Sequence, residues 1–91
     1  MTKLKRASYI INAIKEERIF DSMKPICINT TEDDVNIAMV NKNTGMIQYI
    51  LRFNVDGGWL VKYDCFDHYT SAYELGKLEQ IAINVKSKDA E

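Results

Sequence analysis

The stretch VNIAMVNKNTGMIQYILRFNVDGGWLVKYDCFD, residues 35–67, decides the fold of this chain. Large apolar side chains recur at every second position in three runs, which start at Val35, Ile47 and Trp59. A period of two is typical of strands that bury one face. The stretch therefore predicts a three-stranded antiparallel meander.

The turn that ends at Gly45 sets the register between the first two runs. With Gly45 in the left-handed conformation, a three-residue loop places Met39 opposite Tyr49 and Val40 opposite Gln48. A slip by one residue would turn half of the large side chains to the wrong face, so the apolar pattern favours this register.

The second turn, residues 56–58, sets the register between the second and third runs. A three-residue loop pairs Phe53 with Val61 and gives the core positions apolar partners, whereas a two-residue loop does not. It also sets Arg52 opposite Lys62. Like charges directly opposite each other are mildly destabilising unless an anion or acidic group lies over them.

A helix is predicted before the meander, with Thr2 as its N-cap. Pro25 prevents the helix from continuing past the preceding residue. The short apolar run that follows is compatible with a short extra strand near residues 26–29. The face of the helix that we expect to be buried carries Leu4, Ala7, Ile11 and Ile14.

A second helix is predicted after the meander. Ser71 and Glu74 have the spacing of a capping box, in which each side chain satisfies a backbone amide of the first turn. Gly76 suggests close packing of this helix on the sheet, and the polar tail is expected to fray from about residue 87. The expected buried stripe is Leu75, Leu78, Ala82 and Val85, with Ile81 beside it.

These elements predict one small α+β domain over residues 1–91 in the order α-β-β-β-α, with the odd-numbered sheet face covered by one or both helices. A chain of 91 residues is long enough for a single core. Its 46% hydrophobic and 27% charged content excludes disordered, collagen-like and disulfide-scaffold classes. The net charge of −1 lacks the basic surplus of a dedicated nucleic-acid binder.

We expect a cytoplasmic protein that does not cross a membrane. The apolar stretch 7–14 is interrupted by polar residues, leads into a charged segment and has no small-residue cleavage site. No window approaches the roughly 18 apolar residues of a membrane span. Cys27 and Cys65 are too few for a disulfide framework, and reduced thiols suit the cytosol.

Catalytic, metal and cofactor sites are not expected. Cys65, Asp67 and His68 lie close together, but a structural zinc site needs four ligands and only Cys27 remains as a plausible third. Cys65 also faces the core in the predicted register, where a nucleophilic thiolate would not form. The acidic loop 32–34 lacks EF-hand spacing, and no phosphate-binding glycine loop is present.

The even-numbered sheet face is too apolar for a face that only contacts water. Contiguous apolar surface generally marks a contact site, although a covering helix would explain the same pattern. The predicted interaction surface has an apolar centre of Val40, Ile50 and Phe66, with Arg52 and Lys62 to one side.

From these features we expect a non-catalytic binding protein that docks onto an unidentified host protein. The abundance of Ile, Asn and Lys with a single Pro is typical of AT-rich coding sequence, which phages and low-GC bacteria both have, and we expect an accessory or inhibitor protein of the kind that phages and mobile elements encode. A nucleic-acid-binding domain that uses the basic first helix with Arg52 and Lys62 is the alternative. A homodimer formed through the outer face is the third.

The element order resembles that of double-stranded RNA-binding domains, which would imply a basic cluster at the start of the second helix. The sequence there is Thr70-Ser71-Ala72-Tyr73-Glu74, without a cation. The same segment after a strand is similar to the arm-binding domain of phage integrases. That resemblance would imply several Arg or Lys on the sheet face, where this chain offers Arg52 and Lys62.

We predict no tight binding to duplex RNA or DNA at physiological salt, because such binding requires clustered cations to neutralise phosphates. A titration of labelled duplexes, followed by fluorescence anisotropy at two salt concentrations, measures this. Sub-micromolar affinity that falls steeply with added salt would favour the nucleic-acid alternative.

Overall fold

Two helices lie on one face of a four-stranded antiparallel sheet, whose strands follow one another in sequence order. The structure is a computed structural model that describes residues 2–54, 59–64 and 71–89, with the strand 59–64 and Asp89 described by their backbone. The elements are helix α1 (Lys3–Glu16), a 3₁₀ turn (Arg18–Phe20), strands β1 (Met23–Thr30), β2 (Asp34–Asn41), β3 (Ile47–Asn54) and β4 (Trp59–Asp64), and helix α2 (Ala72–Asp89).

The predicted meander of three antiparallel strands between two helices is confirmed, and it corresponds to β2, β3 and β4. The short extra strand near residues 26–29 is longer than expected. It is the eight-residue strand β1, which pairs antiparallel with β2 at the edge of the sheet.

Strand β1 contains two features that suit an edge position. Pro25 has no N–H to donate, which the outer edge of a sheet tolerates and a central strand does not. The register also shifts between Cys27 and Asn29, so Ile28 lies in a β-bulge. A proline and a bulge both discourage pairing with a further strand.

The register predicted between β2 and β3 is confirmed at Met39 opposite Tyr49. Gly45 has the expected left-handed conformation, with φ of 72°. The prediction that Val40 lies opposite Gln48 is wrong, because an irregularity after Met39 places Ile47 there instead.

The side chain of Asn41 stabilises this turn. Its Oδ1 accepts hydrogen bonds from the backbone N–H groups of Asn43 and Thr44, at 2.8 and 3.1 Å. The N–H of Gly45 donates to the Asn41 carbonyl at 2.9 Å.

The register predicted between β3 and β4 is wrong by one residue. Phe53 lies opposite Leu60 and Arg52 opposite Val61, so the expected pair of Arg52 with Lys62 does not form. The sequence determines this register weakly, because Trp59, Leu60 and Val61 are consecutive apolar residues and either register gives each face at least one of them. The loop 56–58, on which the prediction depended, lies outside the described residues.

The core lies between the helices and the odd-numbered face of β2 and β3, as predicted, and both helices contribute to it. In α1 the buried positions are Arg6, Ala7, Ile10 and Ile14, whereas Leu4 is 76% exposed. The predicted stripe was therefore rotated by about one residue. The buried Arg6 accounts for part of the difference, because its Nη1 donates to the Glu32 carbonyl oxygen at 3.1 Å.

Both predicted N-caps are present, but only half of the predicted capping box of α2 forms, because Glu74 Oε2 is buried without a hydrogen-bond partner among the described residues. Thr2 Oγ1 accepts from the N–H of Lys5 at 3.2 Å, and Ser71 Oγ accepts from the N–H of Glu74 at 3.1 Å. The stripe of α2 is buried at Leu78, Ile81, Ala82 and Val85.

Three details of α2 differ from the sequence prediction or extend beyond it. Leu75 is 37% exposed rather than buried. Gly76 is exposed, and an added Cβ there would meet no atom within 4 Å, so it does not allow a close approach to the sheet. The helix runs to Asp89 and so includes part of the segment expected to fray.

The two described glycines should respond oppositely to alanine. Gly76→Ala should raise the free energy of unfolding by about 1 kcal/mol, because alanine favours a helix interior and has free space here. Gly45→Ala should lower it by about 1 kcal/mol, because an L residue is strained at positive φ even without a clash. Chemical denaturation of both variants measures the difference, and midpoints that move in the same direction would contradict this account.

Candidate interaction surface

The outer face is defined here as the sheet face opposite the two helices. It carries the even-numbered residues of β2 and β3, whose odd-numbered neighbours form the core. Both described helices contribute their buried residues to that core. Within the described ranges, no helix or strand therefore packs on the outer face.

A row of apolar residues crosses three strands of this face. Ile26 of β1 lies opposite Ala38 of β2, which lies opposite Ile50 of β3. Ile26 is 42% exposed and Ile50 is partly exposed, whereas Ala38 is only 3% exposed. The small Ala38 is buried because it lies between two larger side chains at cross-strand distance.

A second apolar pair adjoins this row. Val40 lies opposite Ile47, and both remain accessible to solvent. We call Ile26, Ala38, Val40, Ile47 and Ile50 the outer patch. All of its members except Ala38 are β-branched, so the patch is made of stiff side chains with little rotamer freedom to lose on binding.

Along β1, β2 and β3 the residues that flank the outer patch are polar, and in β4 Tyr63 lies opposite Ile50. Lys24 lies opposite Val40, and Asn36 lies opposite Arg52 at the other end of the sheet. Beyond them, Asn54 Nδ2 donates to Asp34 Oδ1 at 3.0 Å. An apolar centre with a polar rim is the usual anatomy of a protein–protein contact surface.

The structure brings together only part of the predicted interaction surface. Val40 and Ile50 both lie in the outer patch, and Arg52 lies on the same face at its rim. Lys62 lies opposite Leu51 rather than Arg52, because the β3–β4 register differs from the prediction. Phe66 lies outside the described residues.

Two members of the outer patch were missed in the sequence. Ile26 belongs to β1, whose apolar run was too short to predict a full strand. Ile47 was assigned to the core, because strict alternation from Tyr49 turns it inward. A strand irregularity beside Met39 turns it outward, and irregularities of this kind leave no reliable trace in the apolar pattern.

The residues considered for metal and thiol chemistry, Cys65, Asp67 and His68, lie outside the described part of the chain. Cys27 is a partly buried free thiol packed against the core. Where the structure is described, no three His, Cys, Asp or Glu side chains are grouped closely enough to hold a metal ion. In the same ranges no helix is both long and apolar enough to cross a membrane.

Within the acidic loop, the side chains have local roles. Glu32 forms an ion pair with Lys3 at 3.0 Å. Thr31 Oγ1 accepts hydrogen bonds from the N–H groups of Asp33 and Asp34 at 3.2 and 3.0 Å.

No protein-family model, curated protein or solved structure matches this chain. Its function is therefore inferred from the residues of the site alone.

Aspartate substitutions on the two sheet faces should have different effects on stability. Ile50→Asp places a charge on the outer face, where water reaches it, and should lower the free energy of unfolding by about 1 kcal/mol, the cost of a poor strand former. Phe53→Asp would bury an unpaired carboxylate in the core and should unfold the domain. Thermal melting of both variants, with Ile50→Thr as the control that keeps strand propensity, measures this. Equal loss of stability at Ile50 and Phe53 would mean that the outer face is a second core.

Proposed function

We propose that this protein is a non-catalytic binding protein that docks onto another protein through the outer patch. The observation that carries the proposal is the row Ile26, Ala38 and Ile50, which crosses three strands on a face that no described element covers. Contiguous exposed apolar surface is uncommon on monomeric proteins unless it serves a contact.

The chemistry of the face favours a protein partner with an apolar centre and an acidic side. Strands β1, β2 and β3 contain three charged residues, Lys24, Asp34 and Arg52, and all three lie on the outer face. The Asp34 carboxylate accepts a hydrogen bond from Asn54. A carboxylate of a partner would complement the exposed Lys24 beside the apolar contact.

Nucleic acid is a poorer fit to the same face. Two cations supply little phosphate neutralisation, and the chain as a whole carries a net charge of −1.

The specific form of the proposal is a cytoplasmic accessory or inhibitor protein of a phage or mobile element that acts on a host protein. Its support is the composition typical of AT-rich coding sequence and the small size of the domain. Docking by surface burial alone needs no cofactor and no catalytic group.

The test compares two exposed isoleucines. Ile26, 42% exposed, lies in the outer patch, and Ile83, 55% exposed, lies on α2. The wild type, Ile26→Asp and Ile83→Asp are each used to capture partners from an extract of the host cells, with quantitative mass spectrometry. We expect a partner that the wild type and Ile83→Asp retain equally and that Ile26→Asp loses by about tenfold, as for an anchor residue.

If a second copy of this chain or a nucleic acid binds the outer patch instead, the same variants give different results. Capture that is insensitive to Ile26→Asp contradicts docking through the outer patch. Light scattering that shows a wild-type dimer, which Ile26→Asp dissociates and Ile83→Asp does not, would replace the proposal with homodimerisation. Retention of nucleic acid that falls steeply with salt would replace it with the nucleic-acid alternative.

A further inference from the structure

A cavity separate from the outer patch lies where the end of α1, the 3₁₀ turn and the start of β1 meet. Its volume is about 320 Å³. Four apolar residues in its wall are all buried: Ile14, Phe20, Met23 and Pro25. This volume is at the lower end of the range of small-molecule pockets, about 300–1,000 Å³.

The remaining wall residues are charged. Lys15, Lys24 and Lys42 contribute three positive charges and Asp21 one negative charge, so the wall has a net charge of +2. All four are exposed at the surface. None of the three lysines forms an ion pair with a described residue, although Lys3 and Lys77 do.

The backbone fixes this arrangement. The N–H of Lys42 donates to the carbonyl of Ser22 at 3.0 Å, which holds the turn after β2 against the start of β1. The N–H of Asp21 donates to the Arg18 carbonyl at 3.0 Å and closes the 3₁₀ turn. The cavity is therefore formed by elements that backbone hydrogen bonds connect.

We propose that this cavity binds a small organic anion with an apolar body, such as a short-chain or aryl monocarboxylate. The apolar body would lie against Pro25, the few accessible atoms of Phe20 and Met23, and the methylene groups of the wall lysines, and its removal from water favours binding. The carboxylate would remain at the mouth near Lys15 and Lys42, where ammonium groups lack carboxylate partners among the described residues. The inference does not depend on the proposed docking, which uses another face and shares only Lys24 with the cavity.

The test uses octanoate as the probe and 1-octanol as its uncharged counterpart. Each is titrated into the whole protein while the methyl signals of Ile14 and Met23 are followed by NMR, with the methyl signals of Ile83 on α2 as the internal control. We expect octanoate to shift the Ile14 and Met23 signals saturably and to leave Ile83 unchanged. We expect 1-octanol to bind about fivefold more weakly, because it lacks the attraction of two exposed ammonium groups.

Removal of two lysine charges at the mouth of the cavity is the second part of the test. Lys15→Gln/Lys42→Gln should weaken octanoate binding about fivefold and leave 1-octanol binding unchanged. Lys5→Gln/Lys86→Gln, which removes the same charge from exposed positions outside the cavity wall, should change neither. Lys24 is left unchanged because it also lies on the outer face.

Three results would overturn the proposal: no saturable shift with octanoate, equal affinity for 1-octanol, or equal behaviour of the two double variants. If Lys15→Gln/Lys42→Gln lowers the melting temperature, the salt dependence of octanoate binding to the wild type replaces this variant as the test. Octanoate binding should then weaken in about 0.5 M NaCl, because the charges at the mouth are exposed and screened. Octanoate binding that does not weaken with salt would overturn the proposal.

Discussion

Burial of only one sheet face is the constraint on which the rest of this structure depends. Two helices pack on a four-stranded sheet, and both bury their apolar stripes against the same odd-numbered face. The core residues Tyr49, Leu51 and Phe53 are thereby almost completely removed from water. The same strands carry Ile50 on the opposite face, where no described element covers it. The outer patch is therefore a direct consequence of how the helices are placed.

Strand β1 extends this surface, and it also limits the unwanted pairing with another strand that an open sheet edge allows. Its pairing with β2 adds Ile26 to the row that starts at Ile50. Pro25 and the bulge at Ile28 make the outer edge of β1 a poor template for another strand, so association is directed to the face of the sheet rather than to its edge. The same proline forms part of the cavity wall, on the other side of the strand.

The sequence correctly predicted the elements that are specified by one residue with a strong local conformational preference. Gly45 specifies its turn because few other residues tolerate positive φ, and Ser71 specifies the start of α2 because its hydroxyl caps the first turn. The prediction of the β3–β4 register was wrong because Trp59, Leu60 and Val61 are consecutive apolar residues. The burial of Arg6 was not predicted for another reason. Arg6 donates a hydrogen bond to the carbonyl of Glu32, which lies 26 residues away in sequence, beyond any local pattern.

The candidate surface was partly predictable for the same reason. Alternation placed Val40 and Ile50 on the outer face, but it could not reveal the irregularity that adds Ile47. Strand propensity alone does not require isoleucine at such positions, since threonine is also β-branched and would leave the face polar. Aliphatic side chains recur at Ile26, Val40, Ile47 and Ile50, which are neighbours across three strands although they are separated in sequence. This contiguity, rather than the residue types, distinguishes a surface suited to binding from one that only forms a sheet.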